Sequence, residues 1–192
     1  MPAAAKHREA IVASAATLFR RNGYSATGIQ DILAASGAPR GSLYHYFPRG
    51  KAQIAEEAVR MAGLRVQATL EDLLARHHGT AALVRAYARL LAGWMAASNY
   101  RDGCPISAIL MELAPDEPSV TEAGRAALSA WAGAIERSLL RDNVPERHAA
   151  PLSRSVVALL QGALLQARVA RSDVPLEEAA RTIRRMLDAT KP

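Results

Sequence analysis

Residues 24–51, YSATGIQDILAASGAPRGSLYHYFPRGK, constrain this chain more than any other stretch, because they read as two short helices joined by a tight turn. Thr27 is placed to cap the first of these helices, with Gln30 returning a bond three residues on, and Ile29, Ile32 and Leu33 form one apolar stripe. Ser36-Gly37 ends that helix, since Gly37 can take a positive φ, and Pro39 suits the first turn of the next, where a missing N–H costs nothing. On the second helix Leu43 and Phe47 lie four apart and face inward, leaving Arg40, Ser42, Tyr44, His45 and Tyr46 to the outer faces. This is the outline of a helix-turn-helix DNA reader.

The outward groups divide by chemistry. Thr27, Tyr44, His45 and Lys51 are hydroxyl or cationic donors at helix ends, suited to phosphate, which fixes register without reading sequence. Arg40, Gly41 and Ser42 open the second helix, where side chains reach base edges and an Arg can take guanine O6 and N7 together. Tyr46 stands between packing and contact. Charge follows the same segment: of the net +6, residues 1–51 carry seven cations (Lys6, Arg8, Arg20, Arg21, Arg40, Arg49, Lys51) against Glu9 and Asp31. Positive charge concentrated beside such a motif points to nucleic acid.

Beyond this segment the apolar period is helical and no strand alternation stands out, so the fold class is all-α, with about nine helices in total. A first helix near 4–22 presents Ile11, Ala15, Leu18 and Phe19 and completes a three-helix N-terminal domain. Further helices are predicted near 50–77, 79–99 (Leu83, Tyr87, Leu90, Leu91, Trp94), 105–113, 118–142 (Leu128, Trp131, Ile135, Leu139), 146–171 and 175–190. Breaks fall at Gly79, at Arg101-Asp102-Gly103 and between Pro115 and Pro118, and the short Ser172–Pro175 connection makes the last two helices antiparallel neighbours. The division expected is 1–50 for the DNA-binding domain and 51–192 for the rest. No apolar run is long enough for a bilayer, the N-terminus has no secretory h-region, and a cytoplasmic protein is expected.

Gly23-Tyr24, Thr27, Asp31-Ile32, Gly37 and above all Gly41-Ser42-Leu43-Tyr44-His45-Tyr46-Phe47 followed by Lys51 resemble, in order and spacing, the DNA-binding domain of the tetracycline-repressor (TetR) family. Gly28 departs from the pattern, since many members carry a second Thr there. The Gly103-Cys104-Pro105 turn leading into ISAILMELA is similar to the LmrA/YxaF-type branch. The resemblance implies a transcriptional regulator, most simply a repressor on a pseudo-palindromic operator, with a larger helical ligand-binding and dimerisation domain after the reader. It implies a homodimer through the last two helices, and Leu152, Val156, Leu160, Ala163 and Leu164 are the apolar positions expected at that seam. It also implies a pocket for a small hydrophobic effector, around which Trp94, Met95, Cys104, Met111 and Trp131 are the candidates.

No catalytic set accompanies these features, and neither an enzyme, a metal site nor a cofactor is expected. Cys104 is the single thiol, without a local base, and adjacent His77 and His78 point roughly 100° apart on a helix, which is poor for chelation. Glu112 interrupts the apolar ILMELA run and reads as an exposed carboxylate. The alternative to a small-molecule effector is control by a protein partner or by oxidation of Cys104.

Overall fold

The computed structural model describes residues 3–39, 41 and 43–189. Among them the chain forms α1 (Ala3–Asn22), α2 (Ile29–Ser36), α3 (Leu43–Tyr46), α4 (Lys51–Arg76), α5 (Thr80–Ala97), α6 (Ser107–Leu113), α7 (Pro118–Arg141), α8 (Glu146–Ala170) and α9 (Val174–Asp188). The described residues are all helix and connection, as expected, and no helix is long and apolar enough to cross a membrane. The helix ends follow local chemistry. Gly37 closes α2 with φ 65°, and Pro118 opens α7 where its absent N–H is no loss. Gly79, at φ 89°, precedes α5, whose first N–H group, on Thr80, is bonded by the Asp142 carboxylate at 2.7 Å. A carboxylate there also meets the positive end of the helix dipole.

Packing divides the chain into two compact units. The first comprises Met1–Gly63 and Cys104–Ala127, the second Leu64–Gly103 and Leu128–Pro192. This differs from a linear division at residue 50, because α6 and the first part of α7 pack with the N-terminal helices although they lie far along the chain. In the first unit Ile11, Ala15 and Phe19 of α1, Ile32 of α2, Leu43, Phe47 and Ile109 of α6 are buried. Leu18 is only half-buried, at the margin of the α1 stripe. In the second unit α9 packs against α5 and α8, so α8 and α9 are neighbours as their short connection requires. Its core includes Leu83, Tyr87 and Leu91 of α5, Trp131 and Ile135 of α7 and Ile183 of α9. Leu90 and Leu128, expected inward, are instead partly exposed, because each lies just off the inward face of its helix.

Candidate nucleic-acid interface

The reading head is built on a turn, Gly23 to Gly28, that holds itself together. Gly23 takes φ 89°, the Thr27 N–H donates to the Tyr24 carbonyl at 3.1 Å, and the Thr27 hydroxyl donates to the Gly23 carbonyl at 2.8 Å. Thr27 is therefore buried, at 1 % exposure, and is not the helix cap that its position suggested. Gly28 occupies the cap, and Asp31, not Gln30, reaches back to the Gly28 N–H at 2.8 Å. In this arrangement the Thr27 hydroxyl is committed to the turn.

After Gly37 the second helix is expected from Pro39. Regular α-helix begins at Leu43, preceded by a 3₁₀ turn residue at Gly41, while Arg40 and Ser42 lie outside the described residues. Leu43 and Phe47 are buried, at 1 % and 0 % exposure, and anchor the short helix from beneath. Tyr44 and His45 are exposed on its outer side, and Gly41 is exposed ahead of it. Tyr46 is half-buried, edge-on to Phe47 at 6.5 Å and to His45 at 5.3 Å, so it stiffens the helix from the side.

Much of the positive charge around this head is already engaged. Arg8 pairs with Glu57 at 2.5 Å and lies 5.4 Å from the Phe47 ring centre. Arg49 pairs with Glu56 at 2.5 Å and donates to the Ser119 hydroxyl at 3.2 Å. The Arg49 guanidinium holds the Glu56 carboxyl below the usual carboxylate range. Lys51 rests its ammonium 4.1 Å from the Tyr24 ring centre, a cation–π contact. Partial burial lowers the Lys51 pKa, opposed by the negative charge of Glu112.

Glu112, on α6, is exposed as expected, but its carboxylate is not without partners. Its two carboxylate oxygens accept the backbone N–H groups of Tyr24 at 2.7 Å and Ser25 at 2.8 Å. The Ser25 hydroxyl and these two N–H groups, with Lys51 adding charge attraction, hold its carboxyl below the ordinary value despite the cost of burial. Sequence reasoning missed this role. The one signal was a carboxylate inside an apolar helical run, which marks an odd residue but cannot name its partner 88 positions away.

The candidate effector residues differ in their surroundings. Trp94 is 50 % exposed and Met111 85 % exposed, so neither lines an interior pocket. Cys104 is buried and belongs to the first unit, whereas Met95 and Trp131 are buried in the second. The second unit contains a small, partly open cavity of about 10 Å³ beside Trp131, bounded also by Tyr87, Ile135, Leu160, Gln161 and Leu164. An open groove of about 1110 Å³ runs between α5 and α9 over Ala88, Ala92 and Gly93, flanked by Arg85, Arg89 and Arg181.

Comparison with known proteins places this arrangement. Residues 11–58 match the profile of bacterial regulatory proteins of the tetR family, and residues 80–182 that of the C-terminal domain of LmrA/YxaF-like transcriptional regulators. The HTH-type transcriptional regulator Rv0196 of Mycobacterium tuberculosis is 36% identical over 191 residues, covering 96% of this chain and 96% of that one. The chain belongs to the TetR family. The HTH-type regulator LmrA of Bacillus subtilis is 31% identical over 169 residues, with 88% and 90% of the two chains covered. A TetR regulator structure from Chloroflexus aurantiacus superposes with TM-score 0.78 at 29% identity, over 95% of this chain and 94% of that one. The matching families are DNA-binding transcriptional regulators and not enzymes.

In this TetR-family chain the five positions expected at a dimer seam are all buried within the chain's own fold. Leu152, Val156, Leu160, Ala163 and Leu164 have exposures between 0% and 9%. Leu160 and Leu164 face the Trp131 cavity, which leaves no surface for a second chain. The opposite side of α8 is the one left open: Ser155, Ala158, Gly162, Leu165 and Val169 are exposed, with Leu165 at 64% and Val169 at 78%. The sequence stripe was broad enough for two faces, and the helix gave its larger residues to its own core.

Proposed function

We propose that the protein is a cytoplasmic, homodimeric repressor that leaves a pseudo-palindromic operator when a small hydrophobic molecule enters the second unit. The observation that carries the effector reading is the cavity beside Trp131, whose lining is apolar except for Tyr87, Gln161 and the Trp131 indole N–H. Such a lining, mostly apolar with few polar groups, is the usual chemistry of a ligand pocket. At about 10 Å³ it holds no more than a water, so a ligand enters only by opening the surrounding helices. That gives the ligand different affinities for the closed and opened forms, which is what regulation requires.

On the DNA side, Tyr44 and His45 on the exposed face of α3, and the exposed Gly41 ahead of it, meet the duplex, and base reading is assigned to Arg40 and Ser42. Tyr46 supports that face from within, and Lys51 reaches phosphate from its place beside the Tyr24 ring. Dimerisation uses the open face of α8 around Gly162 and Leu165, and sets two reading heads about 34 Å apart on one side of the DNA. A bound dimer there excludes other proteins from the same stretch, which is repression by occupancy.

The test uses a duplex selected by the protein from a randomised pool. Trp94→Phe leaves Trp131 as the sole tryptophan, so its emission reports the cavity. An inducing compound should shift that emission over the concentration range in which it releases the duplex, and the duplex should weaken compound binding by the same factor. Compounds that perturb Trp131 tightly while DNA affinity stays constant would sink the effector reading.

A further inference from the structure

The contact between Glu112 and the α1–α2 turn does more than fill a surface gap. Each carboxylate oxygen takes one backbone N–H, from Tyr24 at 2.7 Å and from Ser25 at 2.8 Å, so the grip is two-pronged and fixes orientation as well as distance. The turn is shaped to receive it. Gly23 lies so close that a Cβ there would stand 2.7 Å from the Glu112 carboxylate oxygen, and its φ of +89° is one that other residues rarely adopt. Behind the contact the turn is internally tied by Thr27, and it runs directly into Gly28 and α2. Tyr24 extends the grip sideways, with its ring 5.4 Å from Phe19 on one side and 4.1 Å from the Lys51 ammonium on the other. One side chain of α6 thus holds the entry to the reading head by its backbone and, through Tyr24 and its own charge, holds Lys51.

We propose that Glu112 is a positioning residue for DNA binding: it clamps the α1–α2 turn to α6 and so sets where α2, α3 and Lys51 stand when they meet the duplex. This rests on the assignment of α2 and α3 as the DNA-reading elements. The proposal has an unusual sign. A carboxylate near a DNA-binding surface repels phosphate, so its removal should tighten binding if charge alone mattered. Loss of the clamp has the opposite effect, because an unpositioned head must be ordered at the moment of binding. Glu112→Gln retains the volume and one acceptor oxygen but turns an NH₂ toward the second N–H, donor against donor.

The experiment measures anisotropy of the selected duplex with full-length wild type, Glu112→Gln, Glu112→Ala and Glu122→Gln across a KCl series. Glu122 is a carboxylate of the same unit, paired with Arg125 on the surface of α7, and removes the same charge without touching the turn. Glu112→Gln and Glu112→Ala should weaken binding about tenfold, within the usual range of coupling between sites, with the slope of log K against log salt unchanged. Glu122→Gln should leave affinity unchanged or slightly raised. Amide exchange at Tyr24 and Ser25 should quicken in the Glu112 variants while circular dichroism shows an intact helical fold. Tighter or unchanged DNA binding by folded Glu112→Gln would overturn the clamp, as would a weakening equal to that of Glu122→Gln. Should Glu112→Ala unfold, Glu112→Gln decides. A wild type that selects no duplex at all would overturn both the clamp and the DNA-reading assignment beneath it.

Discussion

Thr27 shows how one hydroxyl is reassigned by its surroundings. It occupies a position where a capping or phosphate-binding role is natural, yet it is buried and donates to the Gly23 carbonyl. Thr27→Val keeps the shape and removes that bond, and should cost about 1 kcal/mol of stability in urea unfolding while the salt slope of DNA binding stays as in wild type. A fall of about one in that slope would return Thr27 to the phosphate contacts. Glu112 makes a second residue-scale prediction through its titration. Its folded pKa is depressed below the ordinary 4.5 by the Ser25 hydroxyl and the turn's N–H groups. Its contribution to stability is therefore fully present above the unfolded value and is lost as pH falls through the lower folded value. Glu112→Gln should flatten stability against pH in that acid window and leave the profile between neutral pH and mild acid parallel to wild type.

At the scale of elements, helix crossings decide which glycines matter. Gly63 of α4 lies where a Cβ would meet the Ala127 Cβ of α7 at 2.7 Å and its Cα at 3.6 Å, and neither atom can swing aside. Gly93 of α5 has open space around it. Alanine is ordinarily the better helix former by about 1 kcal/mol, so Gly93→Ala should stabilise by up to that amount. Gly63→Ala should destabilise by about 1–3 kcal/mol, because α4 and α7 must part to admit a methyl group. Denaturant midpoints of the two variants, moving in opposite directions from wild type, would check the crossing. Midpoints rising together would mean that the two helices yield freely.

For the whole molecule the question is assembly. The proposed seam on α8 runs through Ser155, Ala158, Gly162, Leu165 and Val169, spaced three and four apart along one helical side. Leu165→Asp places a charge on that face without entering the core, and light scattering should report a folded monomer with DNA binding weakened by loss of the second reading head. Leu160→Asp is a different event. It buries an unpaired carboxylate at a site 3% exposed, beside Trp131, and should abolish the thermal transition altogether. A folded Leu165→Asp dimer would move the interface elsewhere.

What the linear chain determined by itself was local. Helix periodicity, the φ-permissive Gly37 and the inward pair Leu43 and Phe47 are set by neighbours within a few residues, so the helical class, most helix boundaries and the reader's outline were legible, and the Tyr-His-Tyr run carried the family resemblance. Only the tertiary structure decided the rest, because those features depend on partners distant in sequence. Glu112 finds its N–H groups 88 and 87 residues away, and Asp142 caps a helix that begins 62 residues earlier. The α8 positions expected at the seam turn inward for a related reason. An amphipathic stripe states how much apolar surface a helix carries, whereas which part of it meets its own core is settled by where the other helices lie, and on α8 they cover Leu160 and leave Leu165 open.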